Sequence, residues 1–289
     1  MANILDGRAI AAQIRYEVAD GVAELKRRNV SVRLDVLLVG SDPASATYVR
    51  MKQKDSAEVG IESKAHRFPA DTTQKEIAAL VEELNEDAGV SGFFIQLPLP
   101  EGLDPLPLIS SINPSKDVDG LSPLSVGRLS IGMPSLLPCT PHGVIQLLKR
   151  SGVEIAGKEA VVIGRSNLVG KPMAQLLLRE NATITVCHSR TKDLPGVARR
   201  SDLLVVAAGR REFVGVEYVK EGAIVVDVGI HAREGGGLVG DVRFDEVEPR
   251  ASYLSPVPGG VGPMTRAMLL YNALEAARAA SGEIRLEPH

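Results

Sequence analysis

The chain has 289 residues, 44% of them apolar and 24% charged, with a formal net charge of −3, the profile of an ordinary globular protein with room for two domains. So small a negative charge excludes an electrostatic case for a nucleic-acid or membrane partner, and the absence of Trp beside five Phe and five Tyr leaves little for a base-stacking surface. Cys139 and Cys187 are too few for a disulfide framework, no signal peptide is read at the start, and no apolar run nears membrane-spanning length, so a cytoplasmic setting is expected.

Asp6 is placed to cap a first helix whose apolar stripe runs Ile10, Ile14, Val18, Val22 and Leu25. Residues 33–39 read as a strand ending at Gly40-Ser41-Asp42-Pro43, where Asp42 and Pro43 suit the N-cap and first turn of a second helix. That helix carries Tyr48 and Lys52 and stops at Gly60. Residues 61–66 form a second strand, and Thr73 with Glu76 a capping box for a third helix through Asn85. A third strand, 90–95, runs into Gln96-Leu97-Pro98-Leu99-Pro100. Strands alternating with helices imply an α/β fold with a parallel sheet.

Residues 111–140 are rich in Pro, Gly and Ser and hold Lys116-Asp117-Val118-Asp119-Gly120; an interdomain hinge or cleft-lining segment is expected there. Thr140 and Pro141 start a helix ending at Gly152. Then a second α/β series begins: an apolar strand at 160–163, a glycine-bearing loop, and helical apolar spacing over 173–178. Further strands at 183–187, 203–207 and 224–228 are each apolar enough for a sheet covered on both faces. Residues 256–263 form a rigid Pro/Gly loop, 264–280 a last helix, and the polar tail after Ser281 is expected to fray.

Strand, glycine loop and helix together make the architecture that holds a dinucleotide pyrophosphate at a helix N-terminus. The loop, Gly164-Arg165-Ser166-Asn167-Leu168-Val169-Gly170, departs from G-x-G-x-x-G by a serine at the second glycine and an extra residue before the last. Alone it fits a tight strand-to-helix turn about equally well. An NAD site places an acid about 20 residues on, whereas here the next strand ends His188-Ser189-Arg190. With Arg165 in the loop, a hydroxyl and two guanidiniums suit a 2′-phosphate, and NADP is favoured over NAD. Ser166 as a hydrolase nucleophile is rejected, because the elbow needs glycine at Leu168.

Tyr48 and Lys52 share a helix face, which their spacing alone would make a solvated one. Gln96 sits just past a buried strand, where ligands gather on parallel sheets, or ties down its Pro-rich loop. Asp117 and Asp119 read first as turn-formers before Gly120. His66, His142 and His231 lack metal-ligand spacing, and no metal site is expected; His188 reads as a strand-end residue beside the cofactor.

Taken together these blocks identify a resemblance. The chain resembles the bifunctional methylenetetrahydrofolate dehydrogenase/methenyltetrahydrofolate cyclohydrolase family of the bacterial FolD type over nearly its whole length. The resemblance is carried by Asp6-Gly7, Val39-Gly40-Ser41-Asp42-Pro43-Ala44-Ser45, Tyr48-Val49-x-x-Lys52, Gln96-Leu97-Pro98-Leu99-Pro100, Lys116-Asp117-Val118-Asp119-Gly120-Leu121 and Pro138-Cys139-Thr140-Pro141. It continues in Gly164-Arg165-Ser166, His188-Ser189-Arg190-Thr191, Asp227-Val228-Gly229-Ile230, Gly240-Asp241-Val242 and Pro258-Gly259-Gly260-Val261-Gly262-Pro263-Met264-Thr265. Ser56 stands where many members carry Cys, Ser122 and Ser125 replace a common His and Asn near Asp119, and Arg266 stands where Ile or Val is usual.

The resemblance implies a folate domain over 1–138, with the helix 264–280 packing back on it, and a Rossmann-type NADP domain with a parallel sheet over 139–263, around a cleft. It implies tetrahydrofolate derivatives as substrates and a homodimer. NADP would oxidise 5,10-methylenetetrahydrofolate, and water would open the methenyl product to 10-formyltetrahydrofolate. The hydride step needs positioning more than acid–base help; the hydrolysis needs an activated water and moved protons. By the family pattern Lys52 carries that role, since a lysine beside a cationic substrate is pushed toward its neutral, basic form. Gln96 orients Lys52, Tyr48 lies against the pterin, and Asp119 anchors its amino–imino edge. Leu97, Pro98, Pro258, Gly259 and Gly260 line the folate side. Gly164, Arg165, Ser166, Ser189, Arg190 and Ile230 serve the dinucleotide, with Ile230 on the nicotinamide side; whether Ser189 or Arg190 makes the main phosphate contact stays open. The rival readings are a monofunctional dehydrogenase and a non-catalytic dinucleotide-binding protein.

Overall fold

The computed structural model describes residues 1–233 and 235–283. In chain order the elements are β1 (Asn3–Ile4), α1 (Gly7–Arg27), β2 (Arg33–Val39), α2 (Pro43–Glu58), β3 (Glu62–Phe68), α3 (Gln74–Glu86), β4 (Gly92–Ile95), α4 (Pro105–Ser110), α5 (Pro123–Ser130) and α6 (Cys139–Arg150). There follow β5 (Glu159–Ile163), α7 (Gly170–Arg179), β6 (Thr183–Cys187), α8 (Leu194–Ala198), β7 (Leu203–Val206), β8 (Ile224–Asp227), β9 (His231–Ala232), β10 (Leu238–Val239), α9 (Phe244–Val247), β11 (Tyr253–Leu254) and α10 (Val261–Ala280). The chain divides into two compact units, Gln13–Cys139 with Arg266–His289, and Met1–Ala12 with Thr140–Thr265.

The first unit is built on a three-stranded parallel sheet in the order β3-β2-β4. Its middle strand, β2, is buried along nearly its whole length. One sheet face packs Leu37, Val39, Phe93 and Ile95 against Ile77, Val81 and Leu84 of α3 and Leu108 of α4, which puts apolar residues from strand and helix on one core. The caps read from sequence are present. Asp42 accepts from Ser45 N at the start of α2, and Thr73 and Glu76 bond each other's backbone at the start of α3. Beyond β4, the Lys116–Val118 stretch lies along its outer edge, where Phe93 N donates to Lys116 O at 3.0 Å and Phe93 bridges Asp117.

Two short helices go beyond the elements read from sequence. α4 and α5 begin at Pro105 and Pro123, capped by Asp104 and Ser122; each proline is a first-turn residue, where a missing N–H costs nothing. The segment expected as a hinge over 111–140 therefore carries a helix. The tail also differs: Glu283 pairs with Arg28 and Arg278. Residues from 284 on lie outside the described ones, so the expected fraying there is not addressed.

The second unit holds a six-stranded parallel sheet in the order β1-β11-β8-β7-β5-β6. β7 and β8 are buried throughout. β6 is an edge strand with only Cys187 buried, which corrects the expectation that it is covered on both faces. The start of the chain belongs here because Asn3 and Ile4 pair with Tyr253 and Leu254, so Met1–Ala12 does not join the unit that 1–138 was expected to form. From β5 the chain passes to β6 on one side and then to β7 on the other, which makes the carboxyl ends of β5 and β7 the switch point where parallel sheets bind ligands. Among the described residues no helix is long and apolar enough to cross a membrane.

Candidate active site

In the three-stranded unit, α2 places Tyr48 and Lys52 one turn apart, and Gln96 follows the carboxyl end of β4. Lys52 Nζ donates to Gln96 Oε1 at 3.2 Å and lies 3.9 Å from the centroid of the Phe94 ring. The Gln96 amide is itself held, because Nε2 donates to the Leu97 carbonyl at 2.7 Å, which turns Oε1 toward the lysine. Ser56, fully buried, donates from Oγ to the Lys52 carbonyl at 2.9 Å. Tyr48 is 40% exposed and so available to a ligand; Leu97 is half-buried and Pro98 exposed.

The two aspartates after β4 divide their work. Asp117 is the turn-former: its carboxylate accepts from Leu121 N at 3.3 Å and Ser122 N at 2.8 Å. Asp119 faces the lysine. Burial holds its carboxyl above the usual range, the Lys52 charge draws it down, and Asp117 pushes it up, while the neighbouring Cys139 thiol donates to Val118 O at 3.2 Å. Burial, then Asp119, pushes the Cys139 thiol well up, so it stays a neutral donor. Lys52, Gln96 and Asp119 thus form one cluster: a cation held by a fixed amide, beside a half-buried carboxyl.

One residue supporting that cluster was missed in the sequence. Asn272 of α10, 2% exposed, donates from Nδ2 to Val118 O at 2.7 Å and Leu137 O at 2.8 Å, fixing the backbone next to Asp119. The available signal was a lone amide in the apolar run 267–274. The departures from the family pattern also find places. Ser122 and Ser125 are both buried, and Ser122 caps α5 by accepting from Ser125 N at 3.2 Å; Arg266 pairs with Asp55 of α2 at 3.0 Å.

In the six-stranded unit the site is shaped by backbone. Gly164 follows β5 with φ +130°, and a Cβ there would stand 2.2 Å from the Ala207 carbonyl oxygen. At Gly170, the first residue of α7, a Cβ would meet the Gly164 carbonyl at 2.2 Å, so this glycine lets the helix close on the strand. Ser166 Oγ accepts from Val169 N at 3.1 Å and Gly170 N at 3.4 Å. The loop is tied to the end of β6 by Gly164 N donating to Cys187 O at 2.9 Å. There His188 N donates to Thr191 Oγ1 at 2.9 Å and Arg190 N to His188 Nδ1 at 3.1 Å, closing a turn. His188 is thereby a turn residue, and Ser189 and Arg190 are exposed on it. Among the described residues neither Arg165 nor Arg190 has a side-chain partner. Two free guanidiniums beside a glycine cradle at a helix N-terminus fit a phosphorylated dinucleotide.

Pro258, Gly259, Gly260 and Ile230 belong to this same unit. Ile230 is 43% exposed, and a Cβ on Gly262 would lie 3.6 Å from its Cδ1. Around it stand two carboxylates that the sequence did not single out as site residues. Asp227 accepts from Gly229 N, Asp241 N and Val242 N at 2.8–2.9 Å; burial pushes it up to about 7 against these hydrogen bonds. Asp241 accepts from Ala208, Gly209 and Arg210 N and faces His231 Nε2 at 2.7 Å.

Both halves of the chain have counterparts among known proteins. Residues 5–119 match the family model described as the tetrahydrofolate dehydrogenase/cyclohydrolase catalytic domain, and 138–281 the one described as its NAD(P)-binding domain. The chain is 74% identical over 278 residues to the bifunctional protein FolD 1 of Rubrobacter xylanophilus, covering 96% of this chain and 98% of that one. Among solved structures, the FolD methylenetetrahydrofolate dehydrogenase/cyclohydrolase of Campylobacter jejuni superposes with a TM-score of 0.95 at 48% identity, over 96% of this chain and 99% of that chain. The Trypanosoma brucei enzyme, complexed with NADP cofactor and inhibitor, superposes with a TM-score of 0.92 at 42% identity, over 97% and 98%.

Proposed function

The chain belongs to the tetrahydrofolate dehydrogenase/cyclohydrolase family, and on that premise we propose how its residues divide the work of a bifunctional enzyme. The reactions are the NADP-dependent oxidation of 5,10-methylenetetrahydrofolate and the hydrolysis of the methenyl product to 10-formyltetrahydrofolate. The observation that carries the division is the cluster of Lys52, Gln96 and Asp119.

In the three-stranded unit, Asp119 anchors the pterin edge and Tyr48 lies against it, with Leu97 and Pro98 lining the approach. The carbon between two nitrogens is then fixed relative to Lys52. Oxidation asks no proton of the protein, since the nitrogen lone pairs stabilise the amidinium as hydride leaves, and orientation is the main contribution. Hydrolysis asks for more: a water must lose a proton as it attacks the methenyl carbon, and a ring nitrogen must gain one as the C–N bond breaks. Lys52 moves these protons. Gln96 holds its Nζ in place.

In the six-stranded unit, Gly164, Gly170 and Ser166 cradle the pyrophosphate, and Arg165 with Ser189 and Arg190 takes the 2′-phosphate. NADP supplies the hydride acceptor when bound. Ile230, Pro258, Gly259 and Gly260 line the region where the reacting rings lie. A homodimer belongs to the same proposal. The outer edge of β4 is covered by 116–118, whereas β3 is an edge strand with half-exposed side chains, and an open edge is where a second strand can add.

The test follows NADPH and the methenyl chromophore separately, with NADP and with NAD. Both products with NADP preferred are expected. NADPH formed without 10-formyl product would mean a monofunctional dehydrogenase, and binding without turnover a non-catalytic protein. Sedimentation of the free protein as a single 30.7 kDa species would remove the dimer.

A further inference from the structure

We propose that Asp241 is a positioning residue for NADP, setting the wall of the dinucleotide crevice that β7 provides and, through His231, the backbone that carries Ile230. This rests on the six-stranded unit being the NADP unit.

The switch point of the sheet lies between β5 and β7, so the crevice has two walls. One is the Gly164–Gly170 loop. The other is the chain leaving β7 at Ala207. Its next three backbone N–H groups all turn onto one carboxylate: Ala208 N at 2.6 Å and Gly209 N at 2.9 Å on Asp241 Oδ2, and Arg210 N at 2.9 Å on Oδ1. In a trans peptide the carbonyl points away from its N–H. The 207–208 peptide that gives its N–H to Asp241 therefore presents the Ala207 oxygen on its far side. That oxygen is the atom a Cβ on Gly164 would strike at 2.2 Å. One peptide plane thus runs from the Asp241 carboxylate to the cofactor loop, and a shift of the carboxylate moves the second wall against the first.

Asp241 also fixes the chain after β8. His231 Nε2 lies 2.7 Å from its Oδ1, one residue past Ile230. A Cβ on Gly229 would stand 2.4 Å from the same oxygen, so the residues on either side of Ile230 both meet one carboxylate oxygen. The Asp241 side chain is fully out of solvent, and four donors converge on its two oxygens. No base chemistry is open to a carboxylate so occupied; its effect is on the shape of the loops.

Asp241→Asn replaces one acceptor by an NH2 that must face backbone N–H groups, and so displaces one loop. The experiment measures NADPH affinity from the cofactor's fluorescence, cyclohydrolase turnover of methenyltetrahydrofolate with no dinucleotide present, and melting temperature. Asp241→Asn is expected to raise the NADPH Kd about 10-fold, the effect of one lost buried partner, while cyclohydrolase turnover changes less than about 2-fold. His231→Leu, which removes the N–H donor at a partly exposed position, is expected to raise it about 3-fold and decides the matter should the Asn variant fail to fold. An NADPH Kd unchanged in the folded variants overturns the inference. So does a parallel fall of NADPH binding and cyclohydrolase turnover, which a merely structural role would give. Absence of NADPH binding by the unsubstituted protein overturns the assignment of the unit itself, and the inference with it.

Discussion

The two units make their sites by opposite means. In the three-stranded unit, the proposed chemistry falls to side chains: Lys52 is held by Gln96 over Phe94, with Asp119 beside it. In the six-stranded unit, backbone carries the shape, through Gly164, Gly170 and three N–H groups gathered by Asp241, and the guanidiniums proposed for the 2′-phosphate stand free. A substitution in the first unit should therefore separate one reaction from the other. A substitution in the second should change affinity or stability and leave the character of the reaction alone.

The strongest way to break this contrast is Lys52→Ala. Loss of a positioned general acid–base group typically lowers a rate by 10²–10⁴, and a cyclohydrolase loss of about 10³-fold is expected with the hydride step within about 10-fold of its original rate. The measurement is the methenyl decay set against NADPH formation. Equal loss of both activities would mean that Lys52 orients the folate for both steps and that the chemistry is not divided as stated.

The second effect in size concerns stability of the six-stranded unit. His142, at the start of α6, is held down to about 4 by burial, with Arg179, Lys149 and Arg150 adding to it. The unfolded chain, where a histidine titrates near 6.5, binds a proton between these values that the folded chain does not. Stability is therefore fully present above about pH 6.5 and is lost as pH falls toward 4, by about 3 kcal/mol in all. Urea unfolding at pH 7 and pH 5 reads the difference. Asp227, held up to about 7 by burial, contributes with the opposite sign over the same range, so the reading is the difference between the two proteins: His142→Gln should lose less stability between pH 7 and pH 5 than the unsubstituted chain, and equal changes in both would assign the titration elsewhere.

How much of this was open to a reader of the sequence follows the same contrast. Lys52, Gln96 and Asp119 lie in short blocks that a family resemblance can match, and the caps at Asp42 and Thr73 announced their helices. The glycines of the dinucleotide loop were visible as a pattern. What stayed hidden was support from far along the chain. Asn272 meets Val118 across 154 positions, and Asp241 meets Ala208 across 33; local periodicity holds no record of such pairs. Asp241 was visible only as part of a Gly-Asp-Val block, and Ser122 only as a departure from pattern, although it caps a helix.

Arg165→Ala sharpens the contrast from the binding side. A charge-assisted hydrogen bond to phosphate is worth about 2 kcal/mol, so kcat/KM for NADP should fall about 30-fold. The value for NAD, which has no 2′-phosphate, should stay within about 2-fold, and cyclohydrolase turnover should not move. Turnover as fast with NAD as with NADP in the unsubstituted enzyme would remove the 2′-phosphate reading.

Ser166 sits where the two kinds of site overlap, and its effect should be the smallest. Its oxygen accepts the Val169 and Gly170 N–H groups, as a cap does, while its proton is free to point at a phosphate. The two roles are compatible because one uses the lone pairs and the other the hydrogen. Ser166→Ala should lose both, about 1 kcal/mol of stability as for other caps, seen as a melting temperature lower by about 3 °C, with a KM for NADP about 3-fold higher. Ser166→Asp separates them. A carboxylate can accept the same two N–H groups ahead of α7 as the hydroxyl does, so the melting temperature should hold, but it sets a negative charge where the pyrophosphate belongs, and NADP binding should fall by more than it does in Ser166→Ala. If Ser166→Asp keeps its affinity for NADP, the pyrophosphate does not lie at this helix end, and the backbone-built site must be sought on the other wall, at 207–210.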